Sequence, residues 1–166
     1  AEIVHINDLL DTPERLLEFD GMAFPGGFSF GDDLGSGQVM ALKMRHALGT
    51  ELKEFVAKGS PIIGICNGFQ MLTKLGLLPH PTRRRSIALA PNLHGQFIDR
   101  WVTLERPSSS VCKWTEGLTQ FELPIRHGEG RVVFSRGQEK ELYQELEQNG
   151  QIALRYSEDV NGSYAK

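Results

Sequence analysis

The sequence predicts an α/β domain built on a parallel sheet. Three observations carry that prediction. Short apolar runs alternate with stretches of helical spacing through the first half of the chain, the pattern of strand, helix, strand, helix. One run, PIIGI at 61–65, is continuous rather than alternating, as in a strand buried on both faces. No internal repeat, low-complexity tract or linker interrupts the 166 residues, so residues 1–166 are expected to form a single domain.

The elements follow in order. Ile3, Val4 and Ile6 predict a short strand ending at Asn7-Asp8, and GMAFP at 21–25 predicts a second, running into a glycine-rich loop. From Gln38 to Lys58, Val39, Leu42, Leu48, Leu52, Phe55 and Val56 recur at helical spacing. Gly49-Thr50 is expected to split this stretch into two helices, with Thr50 as N-cap of the second, and Gly59 to end it. PIIGI is the next strand, and NGFQMLTKL at 67–75 the next helix. The second half reads as richer in strands: 96–105, 121–127, 131–135 and 151–156, with a helix over 139–147.

Bulk properties narrow the class of function. Apolar residues make up 40% and charged residues 23%, ordinary for a soluble globular domain. A net charge of −3 gives no reason to expect nucleic acid or an anionic membrane surface as partner. The two cysteines, Cys66 and Cys112, form no C-x-x-C pair, which argues against a disulfide framework or a structural zinc and fits a reducing cytosol. No apolar run approaches the roughly 18 residues of a membrane span. The first residues lack a basic segment followed by an apolar one, so no signal peptide is expected.

Gly64-Ile65-Cys66-Asn67-Gly68 stands between the apolar run and the following helix. This is the nucleophile-elbow pattern with Cys in place of Ser. The flanking glycines permit a sharp turn that lifts the side chain above the sheet edge. The reactive species is the thiolate, and a helix N-terminus lowers the pKa of a thiol placed there. A free thiol, with a pKa of about 8.5, is only a few per cent ionised at pH 7, so a base or the helix end must raise that fraction. The competing reading is a buried structural cysteine, since free Cys is among the most buried residue types. The paired glycines favour the nucleophile. Cys112, in SSSVCKW without a glycine frame, reads as structural or incidental.

FPGGFSFGDDLGSG at 24–37 needs a separate account. It lacks the Gly-Lys-Ser/Thr of a P-loop and the G-x-G-x-x-G of a dinucleotide loop. Asp32-Asp33 lacks EF-hand spacing. An oxyanion hole remains: acyl chemistry at Cys66 places negative charge on a carbonyl oxygen, and a glycine loop on an adjacent strand can aim backbone N–H groups at it. The amide of Asn67 would be a second donor. A plain surface loop is the alternative if Cys66 is set aside.

Taken in order, FPGGFSFGDDLGSG, GICNGFQML, PNLHGQFIDRWVTL and HGEGR resemble the PurQ-type glutaminases, the class I glutamine amidotransferase component of phosphoribosylformylglycinamidine synthase. The resemblance runs through nearly the whole chain. G-x-C-x-G-x-Q alone marks only the superfamily; Asn67, Phe69 and PGGFSFGD narrow it. The resemblance implies a flavodoxin-like three-layer α/β/α sandwich with a mostly parallel central sheet. It implies glutamine hydrolysis through a γ-glutamyl thioester on Cys66, with Gly26, Gly27 and Asn67 forming the oxyanion hole. Gln70 matches the position beside bound glutamine, and Phe28 is assigned with it to substrate binding. Phe28 and Phe30 would shield the site or pack on the synthetase. The glutaminase would carry no metal or cofactor, while the synthetase partner would use ATP and Mg²⁺.

The family completes its triad with a His-Pro-Glu near the C-terminus, and no His follows His127 here. The family also places a strand and helix ahead of the position of Ala1. The expectation is therefore a chain clipped at both ends, with little turnover as an isolated piece. His127-Gly128-Glu129 has His-x-Glu spacing, but the family pattern has this H-G-E-G stretch in addition to the terminal motif. His127 and Glu129 are therefore read as structural or near the site. Arg83-Arg84-Arg85 reads as a solvated basic loop rather than a phosphate or partner site, and Trp101 and Trp114 as core or interface. Two other functions compete with the glutaminase: a DJ-1-like cysteine hydrolase or redox sensor, and a non-catalytic remnant that only binds the synthetase. The NGFQ helix favours the glutaminase over the first, and the missing His-x-Glu supports the second.

Overall fold

The computed structural model describes residues 1–81 and 85–161, and its first element departs from expectation. Ile6–Asp11 form a helix, α1, in place of a strand over 3–6. A strand needs a ladder partner for its backbone groups, and no described strand lies alongside residues 1–5. The His5 ring nitrogen instead accepts the Asn7 N–H and caps the helix. Leu9 of α1 turns into the core while Ile3 stays in solvent.

Two units divide the chain, residues 1–85 and 86–166. In the first, α1 is followed by a 3₁₀ turn at Pro13–Glu18 and strand β1 at Met22–Phe24. Helices α2 (Gln38–Ala47) and α3 (Gly49–Ala57) come next. The break between them falls at Leu48, two residues before the expected Thr50 cap, and no side chain caps α3. Leu48 is fully buried. Its N–H donates to the Met44 carbonyl and its own carbonyl accepts from Leu52, so the chain turns on an apolar anchor rather than on a polar cap. Gly59, at φ 73°, follows the end of α3 as predicted.

Strand β2 (Ile62–Gly64) pairs in parallel with β1, Met22 opposite Ile62 and Phe24 opposite Gly64. It is half-buried rather than covered on both faces. Helix α4 (Asn67–Leu75) follows, closed by Gly76 in the left-handed region. The Leu77 N–H reaches back to the Leu72 carbonyl and Gly76 to Thr73, the glycine-terminated helix ending that satisfies the last carbonyls. Leu9, Leu16, Ala41, Met44, Leu48, Leu52, Phe55, Met71 and Leu75 make one core cluster.

The second unit carries β3 (Ile87–Ala90), β4 (Ile98–Glu105), β5 (Gln120–His127), β6 (Arg131–Phe134), α5 (Glu139–Gln148) and β7 (Arg155–Tyr156). Its ladders are antiparallel: β3 with β6, and β5-β4-β7 in that order. Strand β3 is not among the strands expected from the sequence, and β7 covers only the last two of residues 151–156. Trp101 and Trp114 are exposed rather than core. Trp101 lies opposite Pro124, while its neighbour Val102 is buried, as strand alternation dictates. Arg83 and Arg84 fall outside the described residues. Among the described residues no helix is long and apolar enough to cross a membrane.

Candidate active site

Cys66 sits at the junction of β2 and α4 with φ 54° and ψ −113°. A side chain other than glycine rarely takes that conformation, and holding it costs about 1–3 kcal/mol. The surroundings enforce it. A Cβ on Gly64 would lie 2.7 Å from the Gly68 carbonyl oxygen, and one on Gly68 would lie 2.2 Å from the Phe24 carbonyl oxygen. Helix α4 thus starts in backbone contact with both strands. The turn between must be sharp, and Cys66 is left exposed at its apex.

The glycine loop lies against that apex. A Cβ on Gly26 would stand 3.2 Å from the Cys66 Cβ and 3.8 Å from its Sγ. Gly27, at φ +128°, has open space where a side chain would go. The structure therefore brings together Gly26, Gly27, Cys66 and Asn67, the four residues singled out for the nucleophile and oxyanion hole. Asn67 is the first residue of α4, where N–H groups lack an intrahelical acceptor.

The side chain of Asn67 has a part that sequence reasoning missed. It is buried, and all four of its hydrogen-bonding directions are used. Its Oδ1 accepts from the Ser29 N–H at 3.2 Å and from the Ser29 hydroxyl at 2.6 Å. Its Nδ2 donates to Asp32 Oδ1 at 3.0 Å and to Gln70 Oε1 at 3.3 Å. Asp32 Oδ1 also accepts the Gly37 N–H at 3.1 Å. Gln70, predicted beside bound glutamine, is thus tied to the same amide. Phe28 stands out into solvent at 84% exposure. Phe30 is partly covered, with Lys43 Nζ 5.4 Å from its ring centre.

His127 and Glu129 lie in the second unit. Glu129 is exposed. His127 Nδ1 is 3.0 Å from Asn92 Oδ1, and Asn92 Nδ2 donates to the His127 carbonyl at 2.8 Å. The ring's Nε2 is buried without a hydrogen-bond partner. Burial holds the imidazole below its usual pKa range. Cys112 is half-buried, its carbonyl accepting from Thr115.

The whole chain, residues 1–166, matches the model of the CobB/CobQ-like glutamine amidotransferase domain. The chain belongs to that family. It is 49% identical over 136 residues to the phosphoribosylformylglycinamidine synthase subunit PurQ of Dehalococcoides mccartyi, an alignment covering 81% of this chain and 53% of that protein. It is 41% identical over 166 residues to the subunit PurQ of Methanococcus maripaludis, covering 98% of this chain and 60% of the relative. The chain thus spans little more than half the length of these relatives. Among solved structures, that of PurLQS from Thermotoga maritima superposes with a TM-score of 0.63 at 33% identity, over 87% of this chain and 59% of that one. The family and this likeness bear out the class I glutamine amidotransferase-like α/β fold, with β1 and β2 as its parallel ladder and Cys66 at its elbow.

Proposed function

We propose that this chain is the nucleophile-bearing part of a PurQ-type glutaminase, which releases ammonia from L-glutamine for phosphoribosylformylglycinamidine synthase. The observation that carries this reading is Cys66, exposed and held at positive φ on a glycine-framed elbow against Gly26. The Cys66 thiolate attacks the side-chain amide carbon of glutamine and forms a C–S bond. The carbonyl oxygen becomes an oxyanion, met by the Asn67 N–H and the N–H groups of the Gly26-Gly27 loop. Collapse breaks the C–N bond, and the nitrogen leaves as ammonia after taking a proton. Water then cleaves the thioester to glutamate and returns the thiol.

In this reading the general base is the His of the family's His-Pro-Glu, which is not among these 166 residues. Gln70 and Phe28 contact the substrate, and His127 and Glu129 stay outside the proton relay. The domain itself uses no cofactor. The partner is the synthetase, which consumes the ammonia with ATP and Mg²⁺ in the cytoplasm.

The test uses the full-length gene product with its synthetase. Replacing Cys66 by Ala should lower glutamine hydrolysis by about 10⁴-fold or more, the scale of losing a triad nucleophile. A glutamine-mimicking chloroketone should alkylate Cys66 and spare Cys112. Turnover that survives Cys66→Ala, or equal labelling of the two cysteines, would overturn the reading.

A further inference from the structure

The described residues include three non-glycine positions at positive φ: Phe30, Asp32 and Cys66. Two of them lie in the glycine loop and one is the nucleophile. Left-handed backbone at such residues persists only where the surroundings over-determine it. Here one side chain joins the two strained segments. Asn67, bonded directly to Cys66 in the chain, holds Ser29 through its oxygen and Asp32 through its nitrogen. The Ser29 N–H donates and the Asp32 carboxylate accepts, which fixes one amide orientation, and Gln70 Oε1 accepts within it.

We propose that Asp32 and Ser29 are positioning residues, fixing the glycine loop's backbone donors and the Asn67 N–H in one arrangement around the Cys66 sulfur. The inference rests on the glutaminase reading and deepens it. Asp32 Oδ1 takes both the Asn67 amide and the Gly37 N–H. Gly37 in turn presses on α4: a Cβ there would lie 3.1 Å from the Met71 nitrogen and 3.2 Å from the Asn67 carbonyl oxygen. The carboxylate therefore ties the middle and far end of the loop to the start of α4. One of its bonds goes to Asn67, beside Cys66, and the other to Gly37, where α2 begins. Ser29 grips the same amide from within the loop. Neither residue needs to touch glutamine. Their effect is the distance and angle between the sulfur and the donors that receive the oxyanion. A misplacement of about 1 Å in such a site costs on the order of 10²-fold in rate.

The arrangement separates two reactions of the same sulfur. Glutamine hydrolysis passes through a tetrahedral oxyanion and needs the donors in place. Alkylation by iodoacetamide displaces iodide at a saturated carbon and forms no oxyanion. In the full-length gene product with its synthetase, Asp32→Ala should lower kcat for glutamine hydrolysis by about 10- to 100-fold, up to the scale of a 1 Å misplacement and less than the roughly 10²- to 10³-fold of losing an oxyanion donor outright. KM should change less than about 3-fold, as for an interaction made only in the transition state. The iodoacetamide rate at Cys66 should hold. Asp32→Asn keeps an acceptor oxygen and should recover most of kcat. Ser29→Ala should lower kcat by a smaller factor and serves as the test if Asp32→Ala does not fold.

Unchanged kcat in Asp32→Ala and Ser29→Ala overturns the proposal. So does an iodoacetamide rate that falls in step with kcat, because the network would then hold up the elbow itself. Failure of Asp32→Asn to rescue an active-fold variant overturns it as well. If the wild-type protein hydrolyses no glutamine, the glutaminase reading has failed instead. A wild type that turns over normally beside unaffected variants removes only the positioning roles.

Discussion

Two buried asparagines organise the two units, and they do so to different ends. Asn67 is 5% exposed and Asn92 4%. Asn67 joins a helix start to a loop, and three of its amide's four bonds go to side-chain groups that can relax, on Ser29, Asp32 and Gln70. The partners of Asn92 are mostly backbone. Its Nδ2 donates to the Gln96 and His127 carbonyls, and its Oδ1 accepts from the Gly130 N–H and from Asn161. Its own N–H donates to Gly128. Asn161 then binds the Leu93 N–H. The second unit has few buried apolar side chains, with Val102 and Leu104 the clearest, so this polar knot supplies order that the first unit draws from its apolar cluster. The same residue type positions strained backbone in one place and substitutes for core in the other. Satisfied members make a buried polar network rigid; the Asn67 amide is satisfied throughout, whereas the Asn92 knot leaves His127 Nε2 without a partner.

The largest way to break the comparison is steric. Each knot has a glycine pressed into it. At Gly68 the obstacle to a Cβ is the Phe24 backbone carbonyl, 2.2 Å away. At Gly130 it is the His127 ring, 2.1 Å from its Cε1. Backbone in a paired strand cannot yield, whereas an imidazole can swing at the loss of its Asn92 contact. Gly68→Ala should destabilise by more than about 3 kcal/mol, the upper end of overpacking effects. Gly130→Ala should lose less. Urea unfolding of the full-length protein, with soluble yield as a second measure, checks the order. A Gly130→Ala loss exceeding that of Gly68→Ala would show that the imidazole is held more firmly than the strand backbone.

The next effect separates stability from chemistry. Asn92→Ala strands several buried donors and acceptors, each worth about 1–3 kcal/mol when left unpaired, and should cost about 3 kcal/mol in the same experiment. Asn67→Ala should cost about 1–2 kcal/mol, since the Ser29 hydroxyl can rotate and Asp32 is only half-buried. If Asn67→Ala proves the more destabilising, the first unit depends on its polar knot as much as the second does.

What was legible in the sequence follows from the same contrast. The elbow could be read because its constraint is local. Gly64 and Gly68 frame Cys66 at fixed spacing, and Gly64 answers a clash within the strand-turn-helix unit, while Gly68 answers one with Phe24 of the neighbouring strand. The end of α4 at Gly76 is local too. The Asn67 to Asp32 bond spans 35 residues and the Asn92 to Asn161 bond 69. No period or spacing announces such pairs, and a buried amide looks like any other asparagine. The sequence therefore offers Asp32 only as a calcium ligand that lacks the right spacing, and gives the Asn67 side chain no role of its own. The strand assigned to residues 3–6 failed for a related reason: β propensity without a ladder partner lost to a local cap at His5. Thr50 failed because a buried leucine, not a polar cap, decided where α3 begins.

The smallest effect sharpens the assignment of His127 to the second knot. With Nδ1 against Asn92 Oδ1, an acceptor, that nitrogen carries the proton. Nε2 is left as a buried, unpartnered acceptor. Charging the ring would put a proton there with nothing to receive it, and burial accordingly pulls the imidazole below its usual range. An unfolded-chain histidine titrates at about 6.5. Between that value and the lower folded one, the unfolded state binds more protons, so stability rises with pH. The contribution of His127 is complete above about pH 6.5 and is lost as pH falls through the folded value. Following the imidazole Cε1 proton by NMR should give a midpoint below about 6.5. In a His127→Gln variant this share of the pH dependence of the urea midpoint should disappear. A midpoint at or above the unfolded value would mean that Nε2 finds a partner when charged. His127 would then be a group able to carry a proton rather than a fixed member of the Asn92 knot.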